Sequence, residues 1–185
     1  MKRIILASAS PRRAELLRTI IKAFEIIPAD VDESVHSYKP SAAAQELAER
    51  KAACVFDKIG GKDVLVIASD TIVYKNGRFF GKPTDFDDAY RMLGELNAAK
   101  HYVYTGVCLT DGGGIISFFD RSEVTFKDNS DADIKKYIEK YSPFDKAGAY
   151  GIQDGQLVAS YKGSLNNIIG LPTEKLNKEL ARIRL

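Results

Sequence analysis

Val64-Leu65-Val66-Ile67-Ala68-Ser69-Asp70-Thr71-Ile72-Val73-Tyr74-Lys75-Asn76-Gly77-Arg78-Phe79-Phe80 is the stretch that decides the fold. Residues 64–73 are rich in β-branched and apolar side chains and read as a central strand. The Asn76-Gly77 pair between two apolar runs is the strongest short hairpin signal, because both residues accept the positive φ of a tight primed turn. The central strand therefore turns back antiparallel. Upstream, Ile4-Ile5-Leu6-Ala7 is a short apolar run that Ser8-Ala9-Ser10-Pro11 breaks. Ser10 suits an N-cap and Pro11 the first helical position, with Leu16, Leu17, Ile20 and Ile21 as the apolar stripe of the helix that follows. A second helix is expected over 41–57, with Leu47, Ala48 and Phe56 inward, until Gly60-Gly61 stops it.

Downstream, Asp85 caps a helix whose Phe86, Ala89, Met92, Leu93 and Leu96 share one face, and residues 102–110 resume strand character. Asp111-Gly112-Gly113-Gly114 turns the chain into a returning strand over 115–126. Ser130 with Asp133 caps a short helix carrying Ile134, Tyr137 and Ile138. The glycine-spaced stretch 147–152 reads as loop and hairpin, followed by an Asp154-Gly155 turn and a strand over 157–161. Thr173 is expected to cap a last helix, with Leu176, Leu180 and Ile183, that runs to the C-terminus. Hairpins interrupt the strand-helix-strand rhythm of a parallel sheet. The fold class is therefore α/β, with a mixed, strongly twisted β-sheet flanked by helices. With no repeat, linker or low-complexity tract, residues 1–185 are expected to form one domain.

Composition narrows the function. Of 185 residues, 45% are hydrophobic and 28% charged, which excludes a disordered chain. The 27 Lys and Arg nearly balance the 25 Asp and Glu, and a net charge of +2 lacks the basic bias of duplex-DNA binders, so no nucleic-acid partner is expected. No apolar run approaches the roughly 20 residues of a spanning helix, so no membrane partner is expected either. The basic start resembles a signal peptide, but its apolar run is too short and Arg12-Arg13 follow, which fits a cytoplasmic protein. Cys54 and Cys108 have no metal or redox spacing and read as free core residues.

Several groups could carry chemistry. Ser8, Ser10, Arg12 and Arg13 gather on the first turn of a helix, where unpaired N–H groups attract phosphate and guanidinium forks match its oxygens. Simple capping with solvated arginines is the plain alternative. Asp70 follows the apolar run 64–68, close to where α/β sheets place ligands, and a buried carboxylate there must be paired, metal-bound or neutral. Asp30, Asp32 and Glu33 form an acidic loop, by itself an ordinary solvated loop, although Mg²⁺ needs only one or two carboxylates besides substrate phosphates. Lys51 and Lys82 read either as point charges for phosphate or as plain exposed lysines. Residues 77–84 are not a P-loop, because only three residues separate the glycines and Pro83 takes the hydroxyl position. His36 and His101 have no ligand spacing, and no nucleophile elbow is present. Gln153 offers both donor and acceptor to a base edge. Together these groups suit a nucleotide, and spacing alone goes no further.

Ile5-Leu6-Ala7-Ser8-Ala9-Ser10-Pro11-Arg12-Arg13-Ala14-Glu15-Leu16-Leu17 resembles the opening signature of the Maf family. Ala68-Ser69-Asp70-Thr71-Ile72-Val73, Gly81-Lys82-Pro83, His101-Tyr102-Val103-Tyr104-Thr105-Gly106-Val107, the run 145–153 and Asn167-Ile168-Ile169-Gly170-Leu171-Pro172 are similar to family motifs in family order. The form with Arg12, Thr71 and Gln153 resembles the branch acting on dTTP and UTP. The resemblance implies an inosine triphosphatase-like (Maf/Ham1) architecture and a nucleoside triphosphate pyrophosphatase that cleaves between the α and β phosphates with a divalent metal cation, Mg²⁺ or Mn²⁺. It implies Asp70 as proton acceptor, Arg12, Thr71 and Gln153 for substrate preference, and Ser8, Arg13, Lys51 and Lys82 for phosphates. For the metal it points to Glu33 with Asp70, and less to Asp32. The nucleotide is the implied partner, and the family admits a homodimer. A pyrophosphatase for purine or modified nucleotides, such as ITP or 7-methyl-GTP, and a non-enzymatic nucleotide-binding regulator of cell division are the alternatives. Ser142 stands where the family often has Glu, and Ala98 near a usual glycine.

Overall fold

The computed structural model describes residues 2–61 and 63–183. Among these, seven strands form one mixed sheet: β1 (Arg3–Leu6), β2 (Glu25–Ile26), β3 (Val64–Lys75), β4 (Arg78–Phe80), β5 (Lys100–Thr110), β6 (Ile115–Phe126) and β7 (Val158–Lys162). Their order is β2-β1-β3-β5-β6-β7, with β4 also paired to β3. Strands β2 and β3 run parallel to β1, and every other pairing is antiparallel. The expected class holds, and β3 is its central strand. Asn76 and Gly77 have φ of 48° and 82°, the primed-turn geometry that Asn-Gly favours.

Among the described residues six α-helices cover the sheet: α1 (Pro11–Arg18), α2 (Pro40–Ile59), α3 (Phe86–Leu96), α4 (Asp131–Tyr141), α5 (Leu165–Ile169) and α6 (Thr173–Leu180). The period of two along β3 sends alternate side chains to opposite faces. Val64, Val66 and Ala68 pack under α2 with Ala48, Ala52 and Val55. Leu65 and Ile67 pack under α1 and α6 with Leu17, Leu176 and Leu180. Farther along that second face, Val73, Val103 and Val124 meet α3 and α4 through Leu93, Leu96, Ile134 and Ile138. Ser10, Asp85 and Ser130 each cap their helix as the sequence suggests, and Ser130 forms a full capping box with Asp133.

The differences have local causes. Helix α1 stops at Arg18, so Ile20 and Ile21 belong to the turn after it. Val55 is fully buried in the α2 seam, and Phe56 packs half-buried against the same cluster. Residues 143–154 form three short 3₁₀ turns instead of a hairpin, since Gly148 at φ 71° breaks any extended run. Helix α5, only five residues long, has too little periodicity to read from sequence. Thr173 is not a cap: Pro172 holds that position, and the Thr173 hydroxyl accepts from Asn166 Nδ2 at 2.7 Å. The last helix ends at Leu180, and the expected continuation past 183 falls outside the described residues. No helix among the described residues is long and apolar enough to cross a membrane.

One strand edge is left open. Strand β1 pairs with β3 only as far as Leu6 and Ile67, whereas β4 joins the same edge at Val73. Between them, residues 68–72 have a sheet neighbour only in β5. Asp70 consequently lies in the middle of its strand, at the point where β1 ends.

Two glycine-alanine exchanges should act with opposite sign. A Cβ at Gly106 would lie 2.3 Å from the Ala44 backbone, because α2 rests directly on β5 there. Gly106→Ala is expected to cost about 3 kcal/mol, the upper end for overpacking. Ala98 sits at φ 49°, a conformation an alanine adopts at a penalty, so Ala98→Gly should stabilise by about 0.5–1 kcal/mol. Urea unfolding at neutral pH measures both.

Candidate active site

The site begins at the helix start. Ser10 Oγ accepts from the Arg13 amide at 3.4 Å, and buried Ser8 Oγ accepts from the Ser10 amide at 3.2 Å and from Arg13 Nη1 at 3.4 Å. No acidic residue lies in the first turn of α1, so Arg12 and Arg13 oppose the helix dipole there. Both are held by groups from elsewhere. Arg12 Nη1 donates to Asp145 Oδ2 at 2.8 Å, and Asp145 also takes Lys146 Nζ at 2.9 Å. Arg13 Nε donates to the Gly170 carbonyl at 3.0 Å and Nη2 to Thr71 Oγ1 at 3.2 Å. Desolvation pulls the Arg13 guanidinium below the usual arginine range, against the charge of Asp70, and it still keeps its proton at physiological pH.

On the α2 side of β3, buried Asp70 accepts a short hydrogen bond from Lys51 Nζ. Lys51 also donates to Glu33 Oε1 at 2.8 Å, and Lys82 Nζ donates to Glu33 Oε2 at 3.0 Å. Partial burial works to raise the Glu33 carboxyl, but its hydrogen bonds from Lys51 and Lys82 hold it at about 2. The Lys51–Asp70 pair is of another kind from the exposed pairs of this protein. An exposed pair contributes about 0–1 kcal/mol, whereas removing one partner of a buried pair costs about 3–5 kcal/mol because the other charge is stranded.

Although Asp70 and Thr71 point to opposite faces, both line one cavity of about 550 Å³ that opens at the uncovered edge of β3. Ser8, Arg12, Arg13, Glu33, Lys51, Lys82 and Gln153 line it as well, so it gathers every site residue singled out in the sequence except Asp30 and Asp32. The Asp32 carboxylate turns instead to the Ser34 amide and hydroxyl, at 2.9 and 2.6 Å. Arg12, Arg13, Lys51, Lys82 and Lys146 bring five cations against Glu33, Asp70 and Asp145. Such a surplus suits a polyanion. Phe79, Tyr150, Ile152 and Ile168 add apolar lining, and Gln153 a polar amide, to the same cavity, which suits a flat ring with a polar edge.

Sequence reasoning missed Asp145, Lys146 and Thr105. All three lay inside quoted motifs, but only the fold shows Asp145 reaching Arg12 across 133 residues. Tyr150 was missed too; its hydroxyl lies 2.8 Å from Nε2 of buried His101, whose basicity burial lowers to about 3, so that imidazole is neutral at physiological pH.

Among the described residues no group of three or more His, Cys, Asp and Glu could hold a metal ion. Glu33 and Asp70 nevertheless converge on one ammonium group, and two hard carboxylates plus substrate phosphates are the donor set Mg²⁺ prefers. The residues present fit such a cation.

A model of the family described as Maf-like protein matches residues 3–183. The chain is 42% identical over 190 aligned positions to a dTTP/UTP pyrophosphatase of Caldicellulosiruptor saccharolyticus, covering 99% of this chain and 96% of the relative. It is 46% identical to a dTTP/UTP pyrophosphatase of Carboxydothermus hydrogenoformans, covering 96% and 97%. The Staphylococcus aureus Ham1 protein is similar in structure, with a TM-score of 0.58 at 16% identity over 98% of this chain and 99% of that one. That likeness concerns the fold, and it agrees with the architecture expected above.

The low Glu33 value makes an acid prediction. A carboxyl depressed on folding contributes stability that is complete above its unfolded value near 4.5 and is lost as pH falls through about 2. The stability difference between wild type and Glu33→Gln should be constant above about pH 5 and shrink steadily below it. Urea unfolding from pH 7 to pH 3 tests this, and a pH-independent difference contradicts the pairing.

Proposed function

The chain belongs to the Maf-like protein family, and from that premise we propose that it hydrolyses nucleoside triphosphates, dTTP and UTP foremost, to nucleoside monophosphate and pyrophosphate. The observation that carries this reading is the meeting of Asp70 with Arg13, Lys51 and Lys82 on one cavity that Gln153 and the apolar Phe79, Tyr150, Ile152 and Ile168 also line. The whole chain, 1–185, acts as one catalytic unit.

The triphosphate tail lies among Ser8, Arg13, Lys51 and Lys82, where cations lower the cost of bringing the attacking water near an anion. Asp70 accepts the proton of that water as its oxygen bonds to the α phosphorus. The bond from that phosphorus to the αβ bridging oxygen then breaks, and pyrophosphate departs in line. The hydrogen bond from Lys51 fixes the orientation of the Asp70 carboxylate for this transfer. A divalent cation, Mg²⁺ or Mn²⁺, would be held by Glu33 and Asp70 and would neutralise charge on the phosphoryl oxygens. At the other end Gln153 pairs with the base edge, while Arg12, tethered to Asp145, borders the same space.

Asp70→Asn should lower turnover of dTTP and UTP with Mg²⁺ by at least about 100-fold with an unchanged circular dichroism spectrum. Phosphorus NMR of the products should show monophosphate and pyrophosphate, with dTTP and UTP preferred over ITP and 7-methyl-GTP. Full activity in the variant, or tight nucleotide binding without pyrophosphate release across several metals, contradicts the proposal.

A further inference from the structure

The candidate phosphate ligand Arg13 is the head of a chain of hydroxyls that runs under the cavity. Its Nη2 donates to Thr71 Oγ1 at 3.2 Å, Thr71 Oγ1 lies 3.0 Å from Thr105 Oγ1, and Thr105 Oγ1 lies 2.8 Å from the Asn167 carbonyl oxygen. Proton counting sets its direction. A carbonyl only accepts, so the single Thr105 proton goes to Asn167. Thr71 must then donate to Thr105, which leaves its lone pairs facing Arg13. Every donor in the chain therefore points away from the cavity.

The far end is anchored. Asn167 is buried and spends both side-chain N–H groups, on the Val103 carbonyl at 3.1 Å and on Ser122 Oγ at 2.9 Å. The same short helix ends at Gly170, whose carbonyl takes Arg13 Nε at 3.0 Å and Ser69 Oγ at 3.0 Å. A Cβ at Gly170 would lie 3.2 Å from both Arg13 Nε and Thr71 Oγ1, and φ is 127°, so glycine alone fits there. Two faces of the guanidinium are thus fixed by α5, one directly and one through two threonines.

We infer that Thr105, buried and out of reach of substrate, is a positioning residue that holds Arg13 through Thr71 in the orientation that receives phosphate. The inference rests on the reading of Arg13 as a phosphate ligand given above. The Thr71 hydroxyl proton is committed to Thr105, so the influence of Thr71 on substrate also passes through Arg13. Chains of aligned donors strengthen one another, and cutting one link leaves the next polar group unpaired in a buried place.

The test is a cycle between Thr105 and Arg13. Thr105→Val should raise KM for dTTP and the dissociation constant for inorganic pyrophosphate by about tenfold, and Thr105→Ser, which keeps the hydroxyl, should restore both. In an Arg13→Gln background the same Thr105→Val change should add nothing to the pyrophosphate constant, measured by calorimetry so that slow turnover does not matter. If Thr105→Val lowers the melting temperature but leaves KM and pyrophosphate binding at wild-type values, or weakens binding by the same factor with and without Arg13, the inference is overturned. If Arg13→Gln itself leaves pyrophosphate binding unchanged, it is the phosphate reading of Arg13 that fails. Should Thr105→Val not fold, Thr105→Ala removes the same hydroxyl with less bulk and carries the same expected outcomes.

Discussion

The unequal length of two neighbouring strands governs the rest of this structure. Strand β1 has four residues and β3 twelve, so β3 outruns its parallel partner, and the short β4 rejoins the edge only at Val73. A strand edge left without a partner exposes backbone and side chains from both faces to one space. That is why Asp70, which faces α2, and Thr71, which faces α5, border a common cavity. Had β1 continued alongside, the two faces would have been separated by a closed sheet.

Charge is managed across that opening largely by pairing. Each carboxylate gathers at least one cation from another element: Asp70 takes Lys51, Glu33 takes Lys51 and Lys82, and Asp145 takes Arg12 together with its own neighbour Lys146. Isolated buried charges cost several kcal/mol each, so buried Lys51 and Asp70 depend on their link, whereas the half-exposed Glu33, Lys82 and Asp145 are also screened by solvent. The same links hold the cations in place before any anion arrives, which lowers the ordering cost of binding. The close seat of α2 on Gly106 serves the same end, because that helix brings Lys51 to Asp70.

Local signals were legible where one interaction between near neighbours sets the geometry. Asn76-Gly77 made the hairpin, Ser130 with Asp133 made a capping box, and Gly60 closed α2. They failed where geometry comes from packing. Helix α5 is too short for a period, and it exists because Asn167 is pinned to β5 and β6. The turns of 143–154 follow the surfaces they cover: the Gly148 amide bonds to the Gly81 carbonyl at 2.9 Å, and a Cβ there would strike Val73.

By itself the sequence determined the class of the fold, the central place of β3, the starts of α1, α3 and α4, and the residue types that gather at the site, because each depends on chemistry within a few neighbouring positions. Only the tertiary structure decided which of those residues share a cavity. It turned Asp32 away to Ser34, brought Asp145 to Arg12, and placed Thr105 and Asn167 beneath Arg13. Those partners lie between 34 and 157 residues apart in the chain wherever they act on Arg12, Arg13 or Thr71, and their meeting depends on where β1 ends and how α5 docks, which no local pattern encodes.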